Sequence, residues 1–302
     1  MNVLIIGLGS IAKKHIHALK QLDAHVNCYA LRSGEHSESV DGVTDIKSVN
    51  ECKGIDFTIV SNPTAYHFEA IQQAASLKKP IFIEKPPFHS MKNTDACLSM
   101  IAENKIMTYT AFNLRFLESL LYLKKNVELK KVQEVNVYCG SYLPEWRSNV
   151  DYKKNYSANT EMGGGVHLDL IHELDYVLWI FGQPLEVKKT LRNKSSIDIN
   201  AIDYANYVLV YDTFVVSIVL NYFRRDAKRT CEIVFDDATW QTNLMTNTIV
   251  NMKDGSTLLQ SKQTVLDTYS DQMRYFCQAI SSNTHPNNSL KESINTLKIA
   301  LS

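Results

Sequence analysis

Two segments of this sequence carry side chains that could move a proton and stabilise a developing charge. Lys85 follows an apolar run, and a glycine run at 163–165 is followed shortly afterwards by Asp169 and His172. Oxidation of a carbinol requires removal of its hydroxyl proton as hydride leaves, and an imidazole titrates near neutral pH. A nearby ammonium would stabilise alkoxide character and favour the neutral imidazole. These residue types fit a Lys–Asp–His site for alcohol oxidation or ketone reduction.

The spacing of Asp169 and His172 is three residues, so a helix would place them on one face. We expect that helix over 166–181, where a glycine and a proline follow. A structural interpretation is also open, in which His172 is a hydrogen-bonded helix residue and Asp169 complements the helix dipole. We favour the catalytic interpretation because other motifs accompany the pair.

The run Gly-Leu-Gly-Ser-Ile-Ala at 7–12 indicates a dinucleotide site, because it lies between a strand-like run and a helical stretch. The first glycine permits a tight turn, and the second lets the backbone approach a pyrophosphate. The helix N terminus then supplies free N–H groups for the phosphates. We predict cofactor contacts from Gly7, Gly9, Ser10 and Ile11.

The end of the second predicted strand bears on which nicotinamide cofactor binds. An acidic residue there would hold a ribose 2′-hydroxyl, but the sequence has Arg32 and Ser33. A guanidinium and a hydroxyl suit a 2′-phosphate, which favours NADP(H) over NAD(H). An ordinary exposed arginine in a turn is the alternative.

The elements that would position these residues fall into two groups. Strand-like runs at 3–6, 26–31, 56–60, 81–84 and 107–111 alternate with helical stretches, which indicates a parallel sheet covered on both faces. After residue 115, strand-like runs follow one another, which is typical of an α+β domain with a large, mainly antiparallel sheet.

We therefore expect two domains. Residues 1–115 would form a doubly wound, dinucleotide-binding Rossmann domain, and residues 116–302 a substrate-binding and oligomerisation domain whose final helix could return to the first domain.

Polar side chains follow the predicted parallel strands, whose carboxyl ends share one edge where ligands bind. His67 lies early in the next helix and is a further candidate, although a helix-surface histidine is equally compatible. The expected additional cofactor contacts are Ser61, Asn62, Pro63, Glu84, Lys85 and Asn113.

Aromatic residues and an arginine precede the glycine run. Trp146, Arg147 and Tyr156 could stack on a sugar or bind a phosphate, and His167 lies just after the glycines. We expect these four to contact substrate together with Lys85, Asp169 and His172, although a structural loop is an alternative for the segment before the glycines.

The glycine motif, the Glu-Lys-Pro segment, the 163–175 segment and the closing segment at 269–290 together resemble the Gfo/Idh/MocA oxidoreductase family over nearly the whole chain. The resemblance implies hydride transfer between a nicotinamide and a sugar or cyclitol carbon. It implies that Lys85 lies beside nicotinamide and substrate, that His172 is the acid/base, and that Asp169 binds substrate or orients its neighbours. It also implies that Glu84 and Asn113 lie near the nicotinamide ribose.

The sequence departs from that family pattern at one point. Many members space the aspartate and histidine four residues apart, whereas Asp169 and His172 are three apart, so His167 or Asp175 could share the work. The loop at 142–158 resembles members associated with surface-sugar biosynthesis, which makes a nucleotide-activated sugar the first expected substrate. A free polyol or cyclitol dehydrogenase and a non-catalytic dinucleotide-binding regulator are the alternatives.

Composition limits the partners. Basic and acidic residues number 32 each, so no overall field attracts nucleic acid or anionic lipid. The six cysteines are widely spaced without a C-x-x-C pair, which indicates reduced thiols rather than a disulfide framework or a metal site. No apolar stretch approaches the roughly 18 residues that cross a bilayer, and the N terminus lacks the basic region of a signal peptide. We expect a cytoplasmic protein without metal, nucleic-acid or membrane partners.

The predicted strand at 214–223 is apolar on both faces. A sheet in a two-layer domain needs only one apolar face, so the second could be buried against another subunit, or be covered by a helix or loop. We expect a homodimer or homotetramer.

Overall fold

The computed structural model, described over residues 1–32, 39–147 and 151–301, contains two β-sheets in two structural units. The first unit comprises 1–113 and 266–298, and the second comprises 114–265 with the residues from Ile299 onward. The first sheet is parallel and the second is largely antiparallel. The predicted fold class is confirmed.

Six strands form the sheet of the first unit: β1 (Asn2–Ile6), β2 (Asn27–Leu31), β3 (Val43–Ile46), β4 (Phe57–Val60), β5 (Ile81–Glu84) and β6 (Thr108–Ala111). Their spatial order is β3-β2-β1-β4-β5-β6, and every neighbouring pair is parallel. The order reverses between β1 and β4, which is the switch point where ligands bind in such sheets. All residues of β4, β5 and β6 are buried, as expected for a sheet covered on both faces.

The crossover helices of this unit are α1 (Ser10–Leu22), α2 (His67–Ala75) and α3 (Thr94–Glu103). Helix α1 buries Ala12, Ile16 and Leu19, which are four and three residues apart and therefore share one face.

In the part of the second unit that the structure describes, three α-helices accompany eight strands. The helices are α4 (Glu118–Asn126), α5 (Val166–Asp169) and α6 (His172–Phe181). The strands are β7 (Val132–Tyr142), β8 (Glu186–Arg192), β9 (Tyr204–Val210), β10 (Val215–Asn221), β11 (Phe223–Phe235), β12 (Thr239–Asn243), β13 (Thr248–Asn251) and β14 (Thr257–Gln260). Their order is β14-β13-β12-β11-β7-β10-β9-β8, in which only the pair β7 and β10 is parallel.

Burial alternates along the central strands of this sheet. On β10, Val216, Ile218 and Leu220 are buried, whereas Val215 is 39% exposed and Val219 is half-buried. One face therefore belongs to the core of the unit, and the opposite face keeps accessible apolar side chains.

The helix expected over 166–181 is divided into α5 and α6. The Ile171 N–H donates to the Leu168 carbonyl, and the Glu173 N–H donates to the Leu170 carbonyl, so both bonds span three residues instead of four. This tightening interrupts the α-helix between Asp169 and His172.

The chain ends in α7 (Val265–Ser282) and α8 (Leu290–Leu301), most of which belong to the first unit. Phe276 of α7 contacts Phe57 and Phe82 edge-on, with ring centroids 5.3 and 5.4 Å apart. None of the helices in the described ranges has the length and apolar character needed to cross a bilayer.

Candidate functional site

The glycine turn of the first unit leaves its backbone open to a ligand. Gly7 has φ +89°, and a Cβ there would lie 2.5 Å from the Asn62 Cα, so only glycine fits. A Cβ at Gly9 would meet no atom within 4 Å. Gly9 and Ser10 are exposed, and no side chain caps α1. The first N–H groups of α1 can therefore receive a phosphate, which fits a dinucleotide.

The turns after β4 and β5 are connected by His67. Its Nε2 lies 3.0 Å from the Asn62 carbonyl oxygen, and its Nδ1 lies 3.1 Å from the Pro87 carbonyl oxygen. Both partners are acceptors, so a neutral ring donates to one of them at a time. Burial lowers the pKa of His67, and it is 1% exposed. His67 therefore braces two turns at the carboxyl edge of the sheet.

Glu84 at the end of β5 is held by a buried histidine. The His15 Nε2 lies 2.5 Å from Glu84 Oε1, and the Lys85 N–H donates to Glu84 Oε2 at 3.1 Å. His15 is fully buried, whereas Lys85 is half-buried. The Glu84 carboxylate is thus fixed while the lysine beside it keeps partial exposure.

The other predicted cofactor contacts of this unit have partners of their own. Ser61 donates its hydroxyl to the Gly7 carbonyl at 2.8 Å, and the amide of Asn113 donates to Thr268 Oγ1 at 2.7 Å. The Arg32 guanidinium lies 3.1 Å from an Asp45 carboxylate oxygen, so an acidic group adjoins the predicted 2′-phosphate position. Ser33 lies outside the described residues.

Asp169 in the second unit is hydrogen-bonded by a phenol. The Tyr222 hydroxyl donates to Asp169 Oδ2 at 2.5 Å, and both residues are buried. Tyr156 lies close enough that the negative charge of Asp169 is the main cause raising the pKa of that tyrosine. Two phenols therefore adjoin the predicted catalytic carboxylate.

Helix α6, which begins at His172, is fixed by two ion pairs in which a buried carboxylate meets a half-buried arginine. Arg229 binds Glu173 through two bonds of 2.6 and 3.0 Å. Arg115 binds Asp175 through two bonds of 2.7 and 2.8 Å. Burial raises the pKa of Asp175, and the guanidinium opposes that shift. Asp175, which the sequence suggested could share the work of Asp169 and His172, is paired with Arg115 and helps to hold the helix in place.

His167 is buried near a cation. Burial, followed by the charge of Lys189, lowers the pKa of His167 to about 4. A Cβ on Gly165 would lie 2.7 Å from the His167 ring, so the glycine gives this imidazole its space. His167 is therefore neutral at pH 7.

The predicted substrate loop brings aromatic rings together. The Trp146 indole N–H donates to Ser141 Oγ at 2.9 Å, and its ring meets Tyr222 edge-on with centroids 5.3 Å apart. The Arg147 guanidinium lies 5.8 Å from the centre of the Tyr156 ring. Trp146 and Tyr156 thus adjoin Tyr222 and Asp169 respectively.

Two polar residues of these clusters escaped sequence reasoning. His15 lies inside α1 and Tyr222 lies between two strands, and neither belongs to a motif. Their partners are 69 and 53 residues away, so only the fold reveals the pairs. Among the described residues, no group of three or more His, Cys, Asp or Glu is arranged to hold a metal.

Both units match a known oxidoreductase family. Residues 1–112 match the model of its NAD-binding Rossmann fold, and residues 123–241 match the model of the GFO/IDH/MocA C-terminal domain. The chain belongs to the Gfo/Idh/MocA family. The resemblance inferred from the sequence is confirmed, and an NAD-binding Rossmann fold is established for the first unit.

Family relatives are distant in sequence. The chain is 25% identical to the uncharacterized oxidoreductase YrbE of Bacillus subtilis, over 72% of this chain and 65% of that protein. It is 26% identical to the inositol 2-dehydrogenase of Rhizobium meliloti, over 62% of this chain and 57% of that protein. The matched segments thus span less than two thirds of these Gfo/Idh/MocA proteins.

A solved structure has the same fold. The UDP-N-acetylglucosamine 3-dehydrogenase GnnA of Acidithiobacillus ferrooxidans superimposes with a TM-score of 0.78 at 17% identity, covering 99% of this chain and 95% of that one. At this identity the similarity concerns the fold alone.

Proposed function

We propose that this chain is an NAD(P)-dependent oxidoreductase that transfers a hydride between nicotinamide and a carbinol or ketone carbon of a sugar. The observation that carries the proposal is the buried pair Asp169 and His172, two proton-exchanging groups in a chain whose other unit has an uncapped glycine turn. Relatives and fold neighbours named as dehydrogenases of inositol and UDP-N-acetylglucosamine support a polyhydroxylated substrate.

The first unit would hold the dinucleotide along the carboxyl edge of its sheet. The bound nicotinamide supplies or accepts the hydride. The phosphates would meet the N–H groups at the start of α1. His67, whose ring is occupied by backbone carbonyls, would support the site by bracing its turns. The proposed contacts are Gly7, Gly9, Ser10, Ile11, Ser61, Asn62, Pro63, Glu84, Lys85 and Asn113.

His172 would exchange the proton of the reacting hydroxyl, because a neutral imidazole is the side chain best suited to that transfer near pH 7. Lys85 would donate a hydrogen bond and a positive charge to the oxygen as it gains alkoxide character. Asp169 would bind a substrate hydroxyl or orient neighbouring groups, since its carboxyl oxygens can accept hydrogen bonds.

NADP(H) is our proposed cofactor, because Arg32 directly follows β2 and a guanidinium there would suit a 2′-phosphate. Its contact with Asp45 weakens that argument, since the carboxylate would repel a phosphate. Relatives of both kinds exist in B. subtilis, where one scyllo-inositol 2-dehydrogenase uses NAD⁺ and another uses NADP⁺. Dissociation constants for NADPH and NADH, measured side by side, would decide the preference.

A nucleotide-activated sugar is our first proposed substrate class. The Arg147 guanidinium beside Tyr156 offers a charge for a phosphate and an aromatic face for a ring. A free polyol or cyclitol is the second candidate, favoured by the similarity to an inositol 2-dehydrogenase.

We further propose that the protein is a cytoplasmic homo-oligomer. The six cysteines form no disulfide and five of them are buried, which is compatible with a reducing compartment. The accessible apolar face of the second sheet, which includes Val215 and Val219, would be covered by another copy.

Replacement of His172 by alanine tests the reaction. We expect turnover to fall about 10²- to 10⁴-fold, with dinucleotide affinity unchanged because the residue belongs to the other unit. The assay is a spectrophotometric screen of hydroxy and keto sugars, free and nucleotide-linked, after mass spectrometry of any ligand retained on the purified protein.

His25→Ala is the matched control, since that histidine is exposed and lies far from the predicted site residues in the sequence. An unchanged rate in His172→Ala would exclude the acid/base role. A wild-type protein that binds dinucleotide but reduces or oxidises none of the sugars would favour the non-catalytic regulator.

A further inference from the structure

The Tyr222 side chain contacts Asp169, a residue of the proposed reaction, but has no role of its own in that reaction. Its hydroxyl donates to Asp169 Oδ2 at 2.5 Å, across 53 residues of sequence. Tyr222 is fully buried and Asp169 is 6% exposed, so water competes little for this bond. A short bond from a hydroxyl to a buried carboxylate belongs to the strong, charge-assisted class.

The backbone fixes the position of this phenol. Tyr222 lies between β10 and β11, where its N–H donates to the Asp203 carbonyl and its carbonyl accepts from the Leu143 N–H. Trp146 packs edge-on against the ring. The sheet therefore sets the direction of the hydroxyl, and the Asp169 carboxylate must orient itself to meet it.

Both phenols beside Asp169 remain protonated donors. Burial, followed by the charge of Asp169, raises the pKa of Tyr222, and the same charge followed by burial raises the pKa of Tyr156. A neutral phenol can donate its hydroxyl hydrogen to a carboxylate oxygen. The arrangement therefore keeps the Asp169 carboxylate oriented.

We propose that Tyr222 is a positioning residue that holds the Asp169 carboxylate in the orientation used in the reaction, without itself contacting the cofactor. This role rests on the proposed function, in which Asp169 binds substrate or orients neighbouring groups. It adds to the site a residue that no motif identifies. It also gives Trp146 a second task, because that indole packs against the positioning ring.

Tyr222→Phe tests the role, because it removes the hydroxyl and keeps the ring. We expect kcat/KM for the sugar to fall about tenfold or more, as for loss of a hydrogen bond to a charged group. The dissociation constant of the dinucleotide should stay within about twofold of the wild-type value, since one hydroxyl of the other unit is removed.

Tyr176→Phe is the matched control. Tyr176 is a fully buried tyrosine of the same unit, and its hydroxyl has no hydrogen-bond partner among the described residues. Its replacement should leave kcat/KM unchanged.

A double-mutant cycle with Asp169→Asn separates positioning from general packing. If the hydroxyl acts through the carboxylate, Tyr222→Phe should lower kcat/KM in the wild-type background and have little further effect in Asp169→Asn. Equal effects in both backgrounds would overturn the proposal. A Tyr222→Phe protein that fails to fold would also overturn it, because the hydroxyl would then be structural.

The activity of the wild type distinguishes a failure of the positioning role from a failure of the proposed function. If the wild type oxidises a sugar and Tyr222→Phe is as active as Tyr176→Phe, only the positioning role is wrong. If the wild type is inactive on every sugar while binding dinucleotide, the proposed function fails, and the positioning role fails with it.

Discussion

Two buried histidines in the same protein are specialised by their surroundings. His67 faces two carbonyl oxygens, whereas His167 faces a glycine and the charge of Lys189. Burial lowers the pKa of both, so neither is built to carry a positive charge at neutral pH. Both histidines should therefore lower the free energy of unfolding as the pH falls.

His167 permits a quantitative prediction. Its folded pKa of about 4 lies below the unfolded value of about 6.5. Between these values the unfolded chain binds more protons, so stability rises with pH and is lost as pH falls from about 6.5 towards 4. We expect this residue to contribute about 2 kcal/mol to the difference in unfolding free energy between pH 8 and pH 5.

Urea unfolding of the wild type and of His167→Asn at the two pH values measures that contribution. The variant should lose less stability on acidification than the wild type, whatever its stability at pH 8. An identical pH dependence would show that the imidazole remains accessible to protons in the folded state.

At the scale of elements, helix α6 depends on ions buried at its first turn. Glu173 is fully buried, and its partner Arg229 comes from β11. Removing one member of a buried pair leaves an uncompensated charge, whereas replacing both by apolar residues is often tolerated.

We therefore expect Arg229→Met to destabilise the protein by about 3–5 kcal/mol, and the double variant Arg229→Met with Glu173→Met to recover most of that loss. Chemical denaturation of the wild type, the two single variants and the double variant measures the coupling. If the destabilisation of the double variant equals the sum of the two single variants, the two residues contribute packing independently and their charges do not interact.

Most of the elements could be predicted from the sequence, and each exception has a physical cause. Five strands of the first sheet are visible in the sequence as apolar runs, because they lie inside the sheet or are covered on both faces: β1, β2, β4, β5 and β6. The polar strand β3 and the strand β14 gave no such signal, since both lie at sheet edges and are partly exposed. The break between α5 and α6 was equally invisible, because apolar residues continue through it.

The candidate site divides in the same way. The glycine turn and the Glu-Lys-Pro segment are local patterns, so the spacing of a few residues reveals them. The partners His15 and Tyr222 depend on strand order and register, which bring distant residues together. Local motifs can be recognised in a single sequence, whereas partners that are distant in the sequence are recognised only once the fold is known.

At the scale of the whole molecule, the second face of the larger sheet carries apolar side chains that another subunit could cover. Val219 lies opposite Asn206 and Tyr138 on the neighbouring strands, and Val208 lies opposite Ser217 on the same face. These side chains are half-buried, whereas the alternate residues form the core. Apolar side chains in the middle of an open sheet face are typical of a subunit interface.

Val219→Lys should therefore break the proposed oligomer, because a lysine there would be buried without a partner in the interface. Sedimentation velocity at micromolar concentration should give a dimer or tetramer for the wild type and a smaller species for the variant. Leu185→Lys is the control, since Leu185 is 76% exposed and lies before β8, outside the sheet. A wild type that sediments only as a monomer would contradict the proposal, and the apolar face would then need another explanation.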